Sequence, residues 1–117
     1  MTSRIYTLTI DCANPVRLAE FWSAALGYSV TKGDEDEVTI ASPDGSGSAL
    51  LFIRVPDAKV VKNRLHLDLN PDDQEAEVRR LLAFGATRKD ISQGEVGWAV
   101  LAAPEGNEFC VLTPRAQ

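Results

Sequence analysis

Tyr6-Thr7-Leu8-Thr9-Ile10-Asp11 returns 59 positions later as Leu65-His66-Leu67-Asp68-Leu69-Asn70. Both stretches alternate apolar and polar residues, the pattern of a strand buried on one face. The correspondence extends outward: Gly27 is answered by Gly85 at an offset of 58, and Pro43-Asp44-Gly45 by Pro104-Glu105-Gly106 at 61. A repeat of this length describes one supersecondary unit used twice.

The flanking residues supply the rest of each unit. Asn14 before Pro15 is a helix cap with a first-turn proline, and Leu18, Phe21, Trp22 and Ala25 recur at helical spacing until Gly27 ends the run. This predicts a helix over 15–26. Strands are expected at 28–32, 37–42, 49–55 and 64–70, separated by turn material at Gly33-Asp34, Pro43–Gly47 and Pro56-Asp57. A second helix begins after Asn70-Pro71-Asp72, turns Val78, Leu81 and Leu82 inward, pairs Glu75 with Arg79 at i,i+4, and stops at Gly85. Strands near 86–90, 95–102 and 108–113 complete the chain. The expected architecture is α+β: two βαβββ modules, about 1–57 and 63–117 of a single domain, forming a curved mixed sheet around a cleft with the helices outside. A ferredoxin-like βαββαβ unit has two strands between its helices, and this sequence has room for four.

Composition narrows the function. The 117 residues are 44% hydrophobic and 25% charged, with a net charge of −5 and a pI near 4.8, which argues against a phosphate-tracking surface and hence against nucleic-acid partners. No apolar run approaches the roughly 20 residues of a membrane helix, and the N-terminal residues read as a strand rather than a signal peptide, so a cytoplasmic protein without a membrane partner is expected. In that compartment Cys12 and Cys110 are expected as two reduced thiols. Strand phase sends Cys12 to the helix side and Cys110 to the opposite face, too poorly aligned for a disulfide.

The same phase sorts the polar residues. If Leu65, Leu67 and Leu69 face the helix, then His66, Asp68 and Asn70 face away from it, as do their counterparts Thr7, Thr9 and Asp11. Six polar side chains on a concave sheet face suit a solvated ligand cleft better than a sealed core.

Phe21-Trp22-Ser23-Ala24-Ala25-Leu26-Gly27, Arg64-Leu65-His66-Leu67-Asp68-Leu69 and Ala103-Pro104-Glu105-Gly106-Asn107-Glu108-Phe109-Cys110-Val111-Leu112 together resemble the glyoxalase-like branch of the vicinal oxygen chelate superfamily, which includes glyoxalase I, bleomycin-resistance proteins and extradiol dioxygenases. The resemblance covers essentially the whole chain. It implies a homodimer, and a divalent metal held by the first and last strands of each module, at positions occupied here by Thr7, Ile53, His66 and Cys110. Of these only His66 is a typical ligand. Isoleucine cannot coordinate, threonine does so poorly, and Cys110 suits zinc but stands with a single histidine. Asp68 shares the face of His66, but the strand rise places it about 6–7 Å further along. No metal is therefore expected, or at most a weakly bound divalent ion.

The ligand-binding candidates are Thr7, Ile53, His66, Asp68, Trp98 and Cys110. His66 can contact a ligand, act as a general base, or serve only as a hydrogen-bonded structural residue. Cys110 is a nucleophile paired with His66 or a small buried residue. Trp98 is placed to stack on a planar ligand, whereas Trp22 belongs to the core. Asp34-Glu35-Asp36-Glu37 reads as a solvated hairpin and Gly45-Ser46-Gly47-Ser48 as a turn. The leading expectation is a small-molecule-binding protein of glyoxalase or bleomycin-resistance type with a degenerate metal site. The alternatives are a metal-dependent lyase, isomerase or dioxygenase using His66 with Asp68 or Glu108, and a structural or regulatory dimer without a ligand.

Overall fold

A computed structural model describes residues 2–61, 63–89 and 98–115. The chain divides between Ala58 and Lys59 into two compact units, each built as strand, helix and three further strands.

In the first unit β1 (Thr7–Cys12) is followed by α1 (Pro15–Leu26), β2 (Ser29–Gly33), β3 (Glu37–Ala41) and β4 (Ala49–Arg54). Its sheet has the order β1-β4-β3-β2, with β1 parallel to β4 and the other neighbours antiparallel. Asn14 accepts the Arg17 N–H at 3.1 Å, Pro15 follows as the first helical residue, and Gly27 closes α1 at φ 71°, its N–H donating to the Ser23 carbonyl. Leu18, Ala19, Phe21 and Trp22 are buried with Val38, Ile40, Leu50 and Phe52 of the sheet. Phe21 and Trp22 meet edge to face, centroids 5.2 Å apart, so Trp22 is a core residue. The acidic run forms the β2–β3 hairpin, where Asp34 accepts the N–H groups of Asp36 and Glu37; these bonds hold its carboxyl below the usual range. The glycine-serine stretch is likewise a turn. There the hydroxyls of Ser42 and Ser46 lower the carboxyl of Asp44 to about 2, and Gly45 and Gly47 take positive φ.

The second unit runs β5 (Asp68–Leu69), α2 (Gln74–Ala83), β6 (Thr87–Arg88), β7 (Trp98–Ala102) and β8 (Glu108–Leu112), with sheet order β5-β8-β7-β6. Asp73 accepts the Ala76 N–H at 3.1 Å and caps α2, 59 positions after the cap of α1. Val78 and Leu81 face a core that includes Leu101, Phe109 and Val111. The part of the expected strand at 90 and 95–97 lies outside the described residues.

Three details depart from the sequence expectation. The ion pair on α2 is Glu77 with Arg80 at 2.7 Å rather than Glu75 with Arg79; it is an i,i+3 pair, and Arg80 also lies over the Phe84 ring. Secondly, Tyr6 and Leu65, placed on the helix side by phase, are 93% and 85% exposed. Thirdly, β5 pairs over two residues instead of the six or seven expected. One cause explains the change at Leu65. The Asn63 side chain donates to the Glu108 carbonyl at 3.2 Å and the Asn63 N–H donates to the Glu108 carboxylate, so residues 63–66 leave the ladder that continues from Leu67. Tyr6 simply precedes the first paired residue, Thr7.

Candidate functional site

The candidate site lies on the face of the second sheet turned away from α2. Phe109 and Val111 of β8 point to the core, so Cys110 between them points the other way, and it is 8% exposed. Asp68 is the direct ladder partner of Cys110, and Val100 of β7 pairs with it from the other side. Paired residues share a face, as do residues two apart. Trp98, paired with Leu112 and 39% exposed, therefore stands on the same face as Cys110.

His66 lies just outside the ladder, and this changes its reach. Instead of standing one strand repeat from Asp68, its imidazole folds back so that Nδ1 is 3.1 Å from Asp68 Oδ1. Donor atoms of His66, Asp68 and Cys110 all lie within 4.8 Å of one another. The separation of about 6–7 Å expected from a regular strand is corrected accordingly: because β5 begins only at Asp68, His66 two residues earlier is free of the ladder spacing and can turn toward it. Both His66 and Asp68 are half-exposed at their side chains while the sulfur is buried, so the cluster is open on one side.

Nearby polar groups are committed to structure. The Glu108 carboxylate accepts from the Asn63 N–H and sits 3.2 Å from Lys59 Nζ. Desolvation raises its proton affinity, but the Asn63 hydrogen bond and the Lys59 ammonium outweigh that and hold its carboxyl below the usual range. Asn70, phased to the polar face, exchanges two 2.9 Å hydrogen bonds with the backbone of Arg115. The Asn63–Glu108 link is invisible to pattern reading, because nothing in a loop asparagine announces a partner 45 residues away.

The matching face of the first unit has a different chemistry. Thr7 Oγ1 donates to the Ala49 carbonyl at 3.0 Å. The ladder pairs Thr9 with Leu51 and Asp11 with Ile53. Since Asp68 and Cys110 each lie 59 positions after Thr9 and Leu51, the register makes Leu51 the counterpart of Cys110, with Ile53 one step further along the same face. Neither hydrocarbon offers a donor. Cys12 is buried on the helix side and its thiol donates to the Ile53 carbonyl at 3.6 Å; neither cysteine is in a disulfide.

Comparison with known proteins places this geometry. The fold matches a glyoxalase/bleomycin resistance protein/dioxygenase family enzyme from Burkholderia phytofirmans PsJN at TM-score 0.75 and 17% identity, covering 97% of this chain and all of that one. It matches a glyoxalase-related enzyme from Fulvimarina pelagi at 0.69 and 15%, over 96% and 88%. The fosfomycin resistance protein FosX from Listeria monocytogenes, solved as a mutant with manganese(II) and a dihydroxypropylphosphonic acid, matches at 0.73 and 14%, over 98% and 93%. No curated protein sequence matches the chain. The sequence profile of the glyoxalase-like domain matches residues 7–112. With the repeated βαβββ unit and the polar strand faces already in view, that match settles the family: the chain belongs to the glyoxalase-like domain family of the vicinal oxygen chelate superfamily.

Proposed function

We propose that this chain is a small-molecule-binding protein of the glyoxalase type with a degenerate metal site, and that His66, Asp68 and Cys110 contact the ligand. The observation that carries this reading is the contrast in donors between the two polar faces. In the second unit the 3.1 Å contact sets His66 Nδ1 against one oxygen of Asp68, the way a carboxylate orients a histidine from outside a metal shell. With Asp68 set on Nδ1 in that way, the other ligand atoms of the cluster are His66 Nε2 and Cys110 Sγ. The corresponding positions of the first unit, Thr7 and Leu51, are a hydroxyl already donating to a carbonyl and a hydrocarbon. A tightly held transition metal needs three or four protein donors. An open face with an imidazole, a carboxylate, a thiol and the Trp98 ring suits recognition of a modest organic ligand bearing an oxygen function.

The same reading includes a cytoplasmic homodimer. The exposed apolar side chains Val60, Val61 and Leu65 of the second unit support the pairing of two copies. Light scattering returning one chain mass at micromolar concentration would remove that part.

A thermal-shift screen of small carbonyl and carboxylate compounds, run on protein purified without added metal and paired with elemental analysis, tests the whole. Hits should lose affinity about tenfold in His66→Ala, the loss of one hydrogen bond of about 1.4 kcal/mol, while metal stays far below one equivalent in both proteins. Stoichiometric metal that disappears in His66→Ala would overturn the proposal in favour of a metal-dependent lyase, isomerase or dioxygenase.

A further inference from the structure

The cluster has the composition of a nucleophile, a base and an orienting acid. We propose that Cys110 is a nucleophile for flat conjugated carbonyl compounds, with His66 taking its proton and Asp68 as the positioning residue. This rests on the small-molecule reading above and names a substrate class for the same site.

Three observations carry it. First, the sulfur, the imidazole and the carboxylate lie within 4.8 Å of one another, with Asp68 on Nδ1 of His66 so that Nε2 is the nitrogen left to serve the thiol. A base held by a third group beside a nucleophile is the recurring arrangement of covalent catalysis, and its contacts are commonly looser before a ligand binds. Secondly, β7 puts Trp98 on the face of Cys110, two residues from its ladder partner Val100, a strand distance of about 7 Å. An aromatic ring at that spacing favours a flat, conjugated molecule with its reactive carbon over the sulfur. Thirdly, among the described residues the titratable groups set against the thiol are His66 just before β5, Asp68 on β5 and, from its own strand, Glu108, which Lys59 and Asn63 hold; β7 contributes Trp98, Ala99, Val100, Leu101 and Ala102, none of them charged.

The step balances without a further reactant. The Cys110 proton passes to Nε2 of His66, and the sulfur electron pair forms a bond to the β-carbon of the conjugated carbonyl. The electron pair of the carbon–carbon double bond moves to the α-carbon, which takes the proton back from His66. The double bond becomes single, nothing leaves, no atom outside the pair is oxidised or reduced, and the product is a thioether that can reverse by the same path.

The probe is 2-cyclohexen-1-one, followed on the native protein by intact mass and by mapping the modified peptide. Cys110 should gain one equivalent at pH 7 at least about tenfold faster than Cys12, which lies on the helix side of the other sheet. His66→Gln should slow Cys110 about tenfold or more, and the rate should rise with pH more steeply in that variant than in the wild type. Asp68→Asn should give a similar change in the pH profile, and Asp68→Glu should restore it in part. Thermal melts of each variant separate these effects from unfolding. Should Cys110 react no faster than Cys12, or equally fast in wild type and folded His66→Gln, the nucleophile proposal is overturned. If the small-molecule hits still bind with His66-dependent affinity in that event, the binding reading stands and only the covalent step is lost.

Discussion

The two units share a plan and divide its uses. In the first, β1 pairs with β4 over six residues, and α1 buries five residues against the sheet. The second pairs β5 with β8 over two, and α2 buries two. Where the pairing is long, the polar face carries Thr7, Thr9 and Asp11 with the hydrocarbons Leu51 and Ile53, and Thr7 is closed onto a backbone carbonyl. A shorter pairing leaves His66 outside the ladder, able to turn onto Asp68 beside Cys110. Extended sheet pairing and a convergent polar cluster compete for the same residues, because a residue in a ladder is held at a fixed strand spacing. One copy of the repeat keeps the longer packing and the other keeps the convergent polar groups.

The largest expected effects test the packing half. Phe52→Ala removes a ring that is fully buried in β4 and should cost about 3–5 kcal/mol, whereas Leu81→Ala on α2 should cost about 2–4 kcal/mol. Urea titrations of both would break the comparison if Leu81→Ala proved the more damaging.

A smaller effect probes the clamp that shortens β5. Glu108→Gln weakens the charge-assisted contacts to Lys59 and Asn63 and should cost about 1–2 kcal/mol at pH 7. Because the folded carboxyl is held below its unfolded value of about 4.3, this contribution is complete at neutral pH and fades as pH falls through the folded value. Melting curves of wild type and Glu108→Gln should therefore draw together as the pH falls below the ordinary carboxyl range. Curves that stay parallel down to the acid limit of folding would show that Asn63 holds the chain without help from the charge.

The smallest change compares the helix caps. Asn14→Ala and Asp73→Ala each remove one side-chain acceptor at 3.1 Å and should cost about 1 kcal/mol. The aspartate should matter slightly more, since its charge also faces the positive end of α2. That increment should vanish in high salt, and persistence there would assign it to the hydrogen bond alone.

Much of this molecule was legible in the chain. The ends of α1 follow from Asn14, Pro15 and Gly27, because capping is a local matter of which atoms satisfy the first and last turns, while the structure adds Asp73 as the cap of α2, just past the expected start after Asp72. The repeated βαβββ order follows from periodicity and turn residues, and the opposite facing of Cys12 and Cys110 follows from strand phase. Alternation alone, however, extends β5 through Leu65 and spaces His66 away from Asp68. The ladder ends where Asn63 finds Glu108, a contact between residues 45 apart that no local pattern encodes. The counterpart of Cys110 also had to wait for the register, which selects Leu51 over Ile53 by the hydrogen-bonding of β1 to β4. Sequence thus determined the elements, their order and their faces, since these depend on neighbours along the chain. Tertiary structure decided where pairing stops and which polar groups meet, since those depend on partners that only folding brings together.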